Sequence, residues 1–230
     1  MTITTSRLGQ AAGIAAAVAG AIFVLVQINH PPMVGASALT TDWVVRSTAK
    51  VVMSALALAG FTGIYLRQRS QSGVFGLVGY LVFSAGYLAM FGTEFLAAFV
   101  LPTVAKTSPG YANDVIVAAA GGHPVGDIGA MKLVLVFMAI TYVGGGVLFA
   151  IATFRAAVLA RWAAVLLGVG TISTAALGML PESFNRPMAV PTGLALVGLG
   201  VSLWRDQRRA STPAAAGSST AAPRVRASVR

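Results

Sequence analysis

Stretches about as long as a bilayer is wide, with almost no charge inside them, restrict what this chain can fold into more than any motif does. Crossing ~30 Å of hydrocarbon takes roughly 20 helical residues at about 1.5 Å of rise each. Residues 8–29, 74–101, 131–154 and 160–181 supply such stretches, broken in charge only by Glu94, Lys132 and Arg161. Two more come close. Residues 51–66 are apolar but short, so that span borrows the turns from Trp43 and runs 43–66, and the run at 187–204 carries Pro187 and Pro191. The composition agrees: 57% of residues are hydrophobic and 10% are charged, where a water-soluble domain has about a quarter charged. The expectation is an all-α polytopic transmembrane helical bundle of six spans, residues 1–204, followed by a disordered basic tail, residues 205–230. Residues 8–29 also carry features of a secretory signal, with Arg7 before the run and Ala36, Ser37 and Ala38 after it. The run exceeds the usual signal core of about 7–15 residues, and the small residues lie beyond its end, so it is read as a span.

The distribution of charge sets the orientation. With six spans, Arg7, Arg67, Arg69, Arg155, Arg161 and the six arginines from Arg205 onward fall on one side, eleven in all, against five on the other: Arg46, Lys50, Lys106, Lys132 and Arg186. The positive-inside rule then puts both termini in the cytoplasm. The net charge of +10 thus reads as membrane topology, with the tail held near anionic lipid headgroups, and gives no sign of a specific nucleic-acid partner. Small residues recur every four positions, at Gly9, Gly13 and Ala17 and at Ala85, Ala89, Thr93 and Ala97. Such rows let helices approach closely, within one chain or across a homo-oligomer or larger complex.

Several chemistries lack their residues. The chain has no cysteine and two histidines, His30 and His123, both in loops, so no metal site and no haem or other cofactor is expected. HExxH, GxxxxGK[ST], GxGxxG and GxSxG motifs are all missing. Glu94 stands out instead. A carboxylate within a span is expensive and pairs, protonates or faces a wet cavity. Its neighbours one turn away, Met90, Phe91, Ala97 and Ala98, offer no partner. Helical rise puts Glu94 about 30 Å above Val74, and puts Arg46 and Lys50 about 31 and 25 Å above Arg67 on the preceding antiparallel span, so either cation sits level with it. The candidate ligand-binding cluster at the outer ends of the spans is Arg46, Lys50 and Glu94 with Asp127, Lys132, Glu182 and Arg186. Local roles compete: Asp42 with Arg46 and Glu182 with Arg186 form i,i+4 pairs, and Asp127 sits where an N-cap of the fourth span would. Residues 111–120 read as a short amphipathic helix ending at Gly121 and Gly122.

In span number and loop pattern, about 200 residues of the chain resemble small six-helix bacterial membrane proteins of uncharacterised function, which implies a multi-pass protein of the bacterial cytoplasmic membrane. Locally, Glu94-Phe95 followed by Phe99 and Pro102 resembles the acidic helix of membrane-bound meroterpenoid cyclases. There the glutamate follows a tryptophan and works with an acid on a late helix; here Thr93 precedes it and the late spans hold no acid within their apolar runs. Three functions follow: binding or passage of a lipophilic or amphiphilic small molecule at the polar cluster; an acid–base enzyme on an isoprenoid-like substrate with Glu94 as catalytic proton donor; or a structural subunit of a membrane complex.

Overall fold

The computed structural model describes residues 4–175 and 182–211, apart from the side chains of 175 and 182–186. All regular structure among the described residues is helical: α1 (Thr5–Leu25), α2 (Thr41–Phe99), α3 (Leu101–Thr107), α4 (Pro109–Ala119), α5 (Met131–Ala156), α6 (Arg161–Ala175) and α7 (Glu182–Ser211), with a 3-10 turn at Gly35–Leu39. Among the described residues, four helices are long and apolar enough to cross a membrane: α1, α2, α5 and the Pro187–Ser211 part of α7. Large apolar side chains such as Leu81, Leu133 and Ile140 lie exposed on their outer faces. A water-soluble monomer rarely leaves so much apolar surface uncovered.

α2 is not one straight rod. Gly73 has φ 55° and ψ −150°, a conformation essentially reserved for glycine, and no atom would obstruct a Cβ there. Its backbone conformation is therefore what calls for glycine. The chain reverses at this residue, and the two limbs, 41–72 and 74–99, lie antiparallel. Contacts between them climb in register away from the bend: Tyr65 stacks on Tyr80 at 4.9 Å, Thr62 Oγ1 meets Tyr80 OH at 2.9 Å, Phe61 lies 4.8 Å from Tyr87, and Trp43 Nε1 donates to the Ala97 carbonyl at 3.0 Å. The residues between the spans read as 43–66 and 74–101 therefore contribute a single residue to the reversal, because the helix continues to Ser72.

In chain order each long element packs on the next, and α7 returns to α1. Glycines seven residues apart make these seams. A Cβ on Gly13 would fall 2.7 Å from the Gly200 carbonyl, one on Gly86 2.7 Å from Tyr142 N, and one on Gly79 2.8 Å from Phe149 N. Gly20 and Gly193 meet in the same way. The row at Gly9 and Gly13 is therefore an internal seam against α7. On the second limb of α2 the glycines that admit α5 are Gly79 and Gly86, beside the row that begins at Ala85. Near the bend the interior is filled by Phe61, Phe83, Phe149, Ile64 and Leu167, all fully buried.

The opposite end carries a small cap. Leu101 and Ala105 of α3 and Ala112 and Ile116 of α4 bury against Ala38 and Trp43. The short helix expected near 111–120 is α4; it folds onto the cap as well as bordering solvent. At the other terminus α7 continues to Ser211, so residues 205–211, expected to begin a disordered tail, are helical. Asp206 there takes a two-pronged hydrogen bond from Arg67, Nε to Oδ2 and Nη2 to Oδ1 at 3.0 Å. Residues 212–230 lie outside the described set.

Candidate functional site

Between the cap and the buried core the helices part around an open-sided cavity of about 1240 Å³, larger than the roughly 300–1,000 Å³ of most small-molecule sites. On α5 Met131, Leu135, Met138, Ala139, Tyr142 and Val143 line it at helical spacing over three turns, with Ile140 and Gly144 beside them. Trp43, Lys50 and Met53 line it from the first limb of α2, and Met90, Thr93 and Glu94 from the second. The wall is rich in methionine, an adaptable side chain suited to irregular apolar guests.

Its charged feature among the described residues is an ion pair. Lys50 Nζ stands 3.3 Å from Glu94 Oε1, with the two side chains 16% and 20% exposed. The pair forms because the bend at Gly73 sets residues 50 and 94 at equal height on antiparallel limbs. Lys50 Nζ also lies 3.3 Å from His30 Nε2, and His30 Nδ1 lies 2.8 Å from the Pro31 carbonyl. An ammonium can only donate, so Nε2 accepts and Nδ1 carries the proton. His30, expected as an exposed loop residue, is instead half-buried at the site, edge-on to Trp43 at 6.2 Å. Pro31 and Pro32 turn the chain back after α1 and hold the imidazole over α2. The histidine's position just before two prolines was the available signal.

The other expected members separate. Arg46 Nε bonds Asp42 at 2.8 and 2.9 Å, and its Nη1 donates to the carbonyls of Val26 and Ile28 at 3.1 and 2.7 Å. It thus closes the open C-terminal end of α1 and does not reach Glu94. Asp127 is exposed and accepts from Gly129 N at 2.8 Å. α5 starts at Met131 with Ala130 at its N-cap position and no side-chain cap, so the expected capping role of Asp127 is corrected to that of tightening the preceding turn. Lys132 is exposed on α5 and is not among the residues that line the cavity. The side chains of Glu182 and Arg186 lie outside the described residues. Asp114, given no role from sequence, accepts from Val125 N and Gly126 N at 3.1 and 2.9 Å and ties α4 to the following loop. Among the described residues no three His, Asp or Glu side chains converge as a metal site would require.

At the inner end of the cavity the lining turns polar again. Tyr142 and Thr174 border it, and Tyr87 and Thr192 are buried behind them. The Tyr87, Tyr142 and Thr192 hydroxyls are sealed from solvent and complete no well-formed hydrogen bond, although Tyr142 has Tyr87, Thr192 and Thr174 as its polar neighbours. Buried hydroxyls normally find partners. No sequence pattern announces this cluster, because its residues come from four separate helical segments.

The fold and site define a helical protein with membrane-type apolar helices and a ligand-sized cavity. No family model, curated protein or solved structure matches the chain.

Proposed function

We propose that this protein is a six-span component of the bacterial cytoplasmic membrane, both termini inside, that binds or passes a lipophilic or amphiphilic small molecule in the cavity beside Lys50 and Glu94. The observation that carries the reading is the conjunction of a large, methionine-rich apolar cavity with one ion pair on its wall. An apolar cavity alone would take up lipid tails without preference. The pair adds a place to hold a polar head: Lys50 retains ammonium protons beyond those facing Glu94 and His30, and Glu94 retains a second oxygen. Six spans follow from counting the two limbs of α2 separately and adding α6, whose described part is 15 residues long.

The enzyme reading requires an acid with no basic group against it, and Lys50 Nζ at 3.3 Å from Glu94 weighs against that. Of the small-residue rows invoked for a complex subunit, the one at Gly9 and Gly13 is engaged inside the chain. The direct test is mass spectrometry of lipid extracts from purified protein. A co-purifying amphiphile is expected in the wild type and lost in Lys50→Ala/Glu94→Ala; equal content in both would refute the reading. The absence of native cysteine makes topology easy to probe. In intact cells an impermeant maleimide is expected to label Val125→Cys and to leave Ser70→Cys unlabelled.

A further inference from the structure

The ion pair on the cavity wall restricts what kind of head can settle beside it. We infer that the ligand's polar head carries no net charge and presents a hydrogen-bond acceptor to Lys50 and a donor to Glu94, as a primary amide does. This rests on the cavity-binding reading above and names the ligand class within it.

Both groups are within a ligand's reach. Lys50 and Glu94 are the charged side chains that line the cavity among the described residues, and neither is sealed, at 16% and 20% exposure. Leu96, Val100 and Ile140 line the same cavity and are 37%, 41% and 66% exposed, so its apolar wall runs out to the protein surface. A guest arriving from lipid can place its head at the pair and keep its tail on Met90, Leu135 and Met138.

Electrostatics decide against an ion. Lys50 Nζ and Glu94 Oε1 are 3.3 Å apart, so a carboxylate drawn to the ammonium meets the glutamate, and an ammonium drawn to Glu94 meets Lys50. At such short separation attraction and repulsion largely cancel, and nothing offsets the cost of stripping water from the incoming charge. His30 does not tip the balance, because with Nε2 accepting from Lys50 its imidazole is neutral. Arg46 is taken up by Asp42 and by the carbonyls at the end of α1. A dipole, by contrast, gains from both partners. Of the three ammonium protons one faces Glu94 and one His30, which leaves one to donate, and Glu94 Oε2 is left to accept. A primary amide meets the first with its carbonyl and the second with its N–H. An ester has acceptors only and brings nothing to the carboxylate oxygen.

Decanamide, decanoate and decylammonium share one tail and differ in the charge of the head. Each is titrated against the full-length protein in nanodiscs at mildly alkaline pH, where decanoate is ionised and decylammonium still protonated. Trp43 fluorescence is the readout, in a Trp162→Phe/Trp204→Phe background, and affinities are corrected for partitioning into protein-free nanodiscs. Decanamide is expected to bind about tenfold more tightly than either ion, the factor one well-made hydrogen bond supports. N,N-dimethyldecanamide, which keeps the carbonyl and has no N–H, is expected to bind more weakly than decanamide. Glu94→Gln is expected to raise decanoate affinity about tenfold and leave decylammonium weak; Lys50→Met is expected to do the reverse. A gain of affinity cannot come from a damaged fold. A wild type that prefers either ion, equal binding of the two amides, or variants whose ion preferences do not move apart would overturn the inference and leave the cavity reading standing. No binding of any probe by the wild type would overturn the cavity reading and the inference with it.

Discussion

The two ends of the helical bundle are made from the same helices and differ in nearly everything else. Toward Gly73, the limbs of α2 and their neighbours close on Phe61, Phe83 and Phe149, with ring centroids 4.6 to 6.1 Å apart and glycines admitting backbone to backbone. Toward Glu94, the same helices diverge around a cavity, and a cap of short helices stands where packing would otherwise continue. Polar groups follow the division. Near the bend they pair across helices to lock them: Gln68 Nε2 donates to Thr153 Oγ1 at 2.7 Å, and Arg67 grips Asp206. At the other end Lys50 and Glu94 pair as well, but on the wall of the cavity. One end holds the shape, and the other is kept from filling.

That contrast can be broken by substitution. The largest expected effect is in the closed end: Phe83→Ala removes a fully buried ring and should lower stability by about 3–5 kcal/mol, measured by denaturant unfolding in detergent. Met138→Ala, on the wall of an existing cavity, should cost well under half as much; equal losses would erase the distinction between the ends. Gly73→Ala follows at about 1–3 kcal/mol, because it forces an L side chain into a glycine conformation. Its cost should appear as strain alone, since nothing crowds the site. Glu94→Gln should cost about 1–2 kcal/mol, below the loss for a fully buried pair because both side chains keep some solvent contact. A Lys50→Glu/Glu94→Lys exchange should return part of that loss, and a double-mutant cycle with no coupling would mean the pair does not act as one. Smallest, Asp206→Asn should cost roughly 0.5 kcal/mol, declining with added salt, because Arg67 and Asp206 are each about a third exposed.

How far the chain could be read beforehand divides along the same line. Apolar length, a periodic property, located the long helices well, and helical rise was enough to put Lys50 level with Glu94. It could not choose between Lys50 and Arg46. That choice depended on Asp42 and on the carbonyls left open at the end of α1, which occupy Arg46 first. Asp127 was misassigned because a residue three or four places before an apolar run can serve either a cap or a turn, and Gly129, with φ 59°, turns the chain between Asp127 and the helix start at Met131. The Tyr87–Tyr142–Thr192 cluster was beyond reach because it depends on segments far apart in the chain meeting in space, whereas His30 had its place before Pro31 and Pro32 as a signal.

Rod length carries a consequence for where this molecule can work. Residues 41–72 extend about 48 Å at 1.5 Å per residue, against roughly 30 Å of hydrocarbon, so the limb overshoots the oily slab. Between Arg67 and Lys50 lie 17 residue steps, about 25 Å, which puts the ammonium close to the boundary where acyl chains give way to headgroups. A thicker bilayer draws that boundary over the Trp43 end and offers the chamber to lipid; a thinner one leaves it awash. On the proposed reading, the thickness of the surrounding leaflet would then set whether the chamber meets lipid or water.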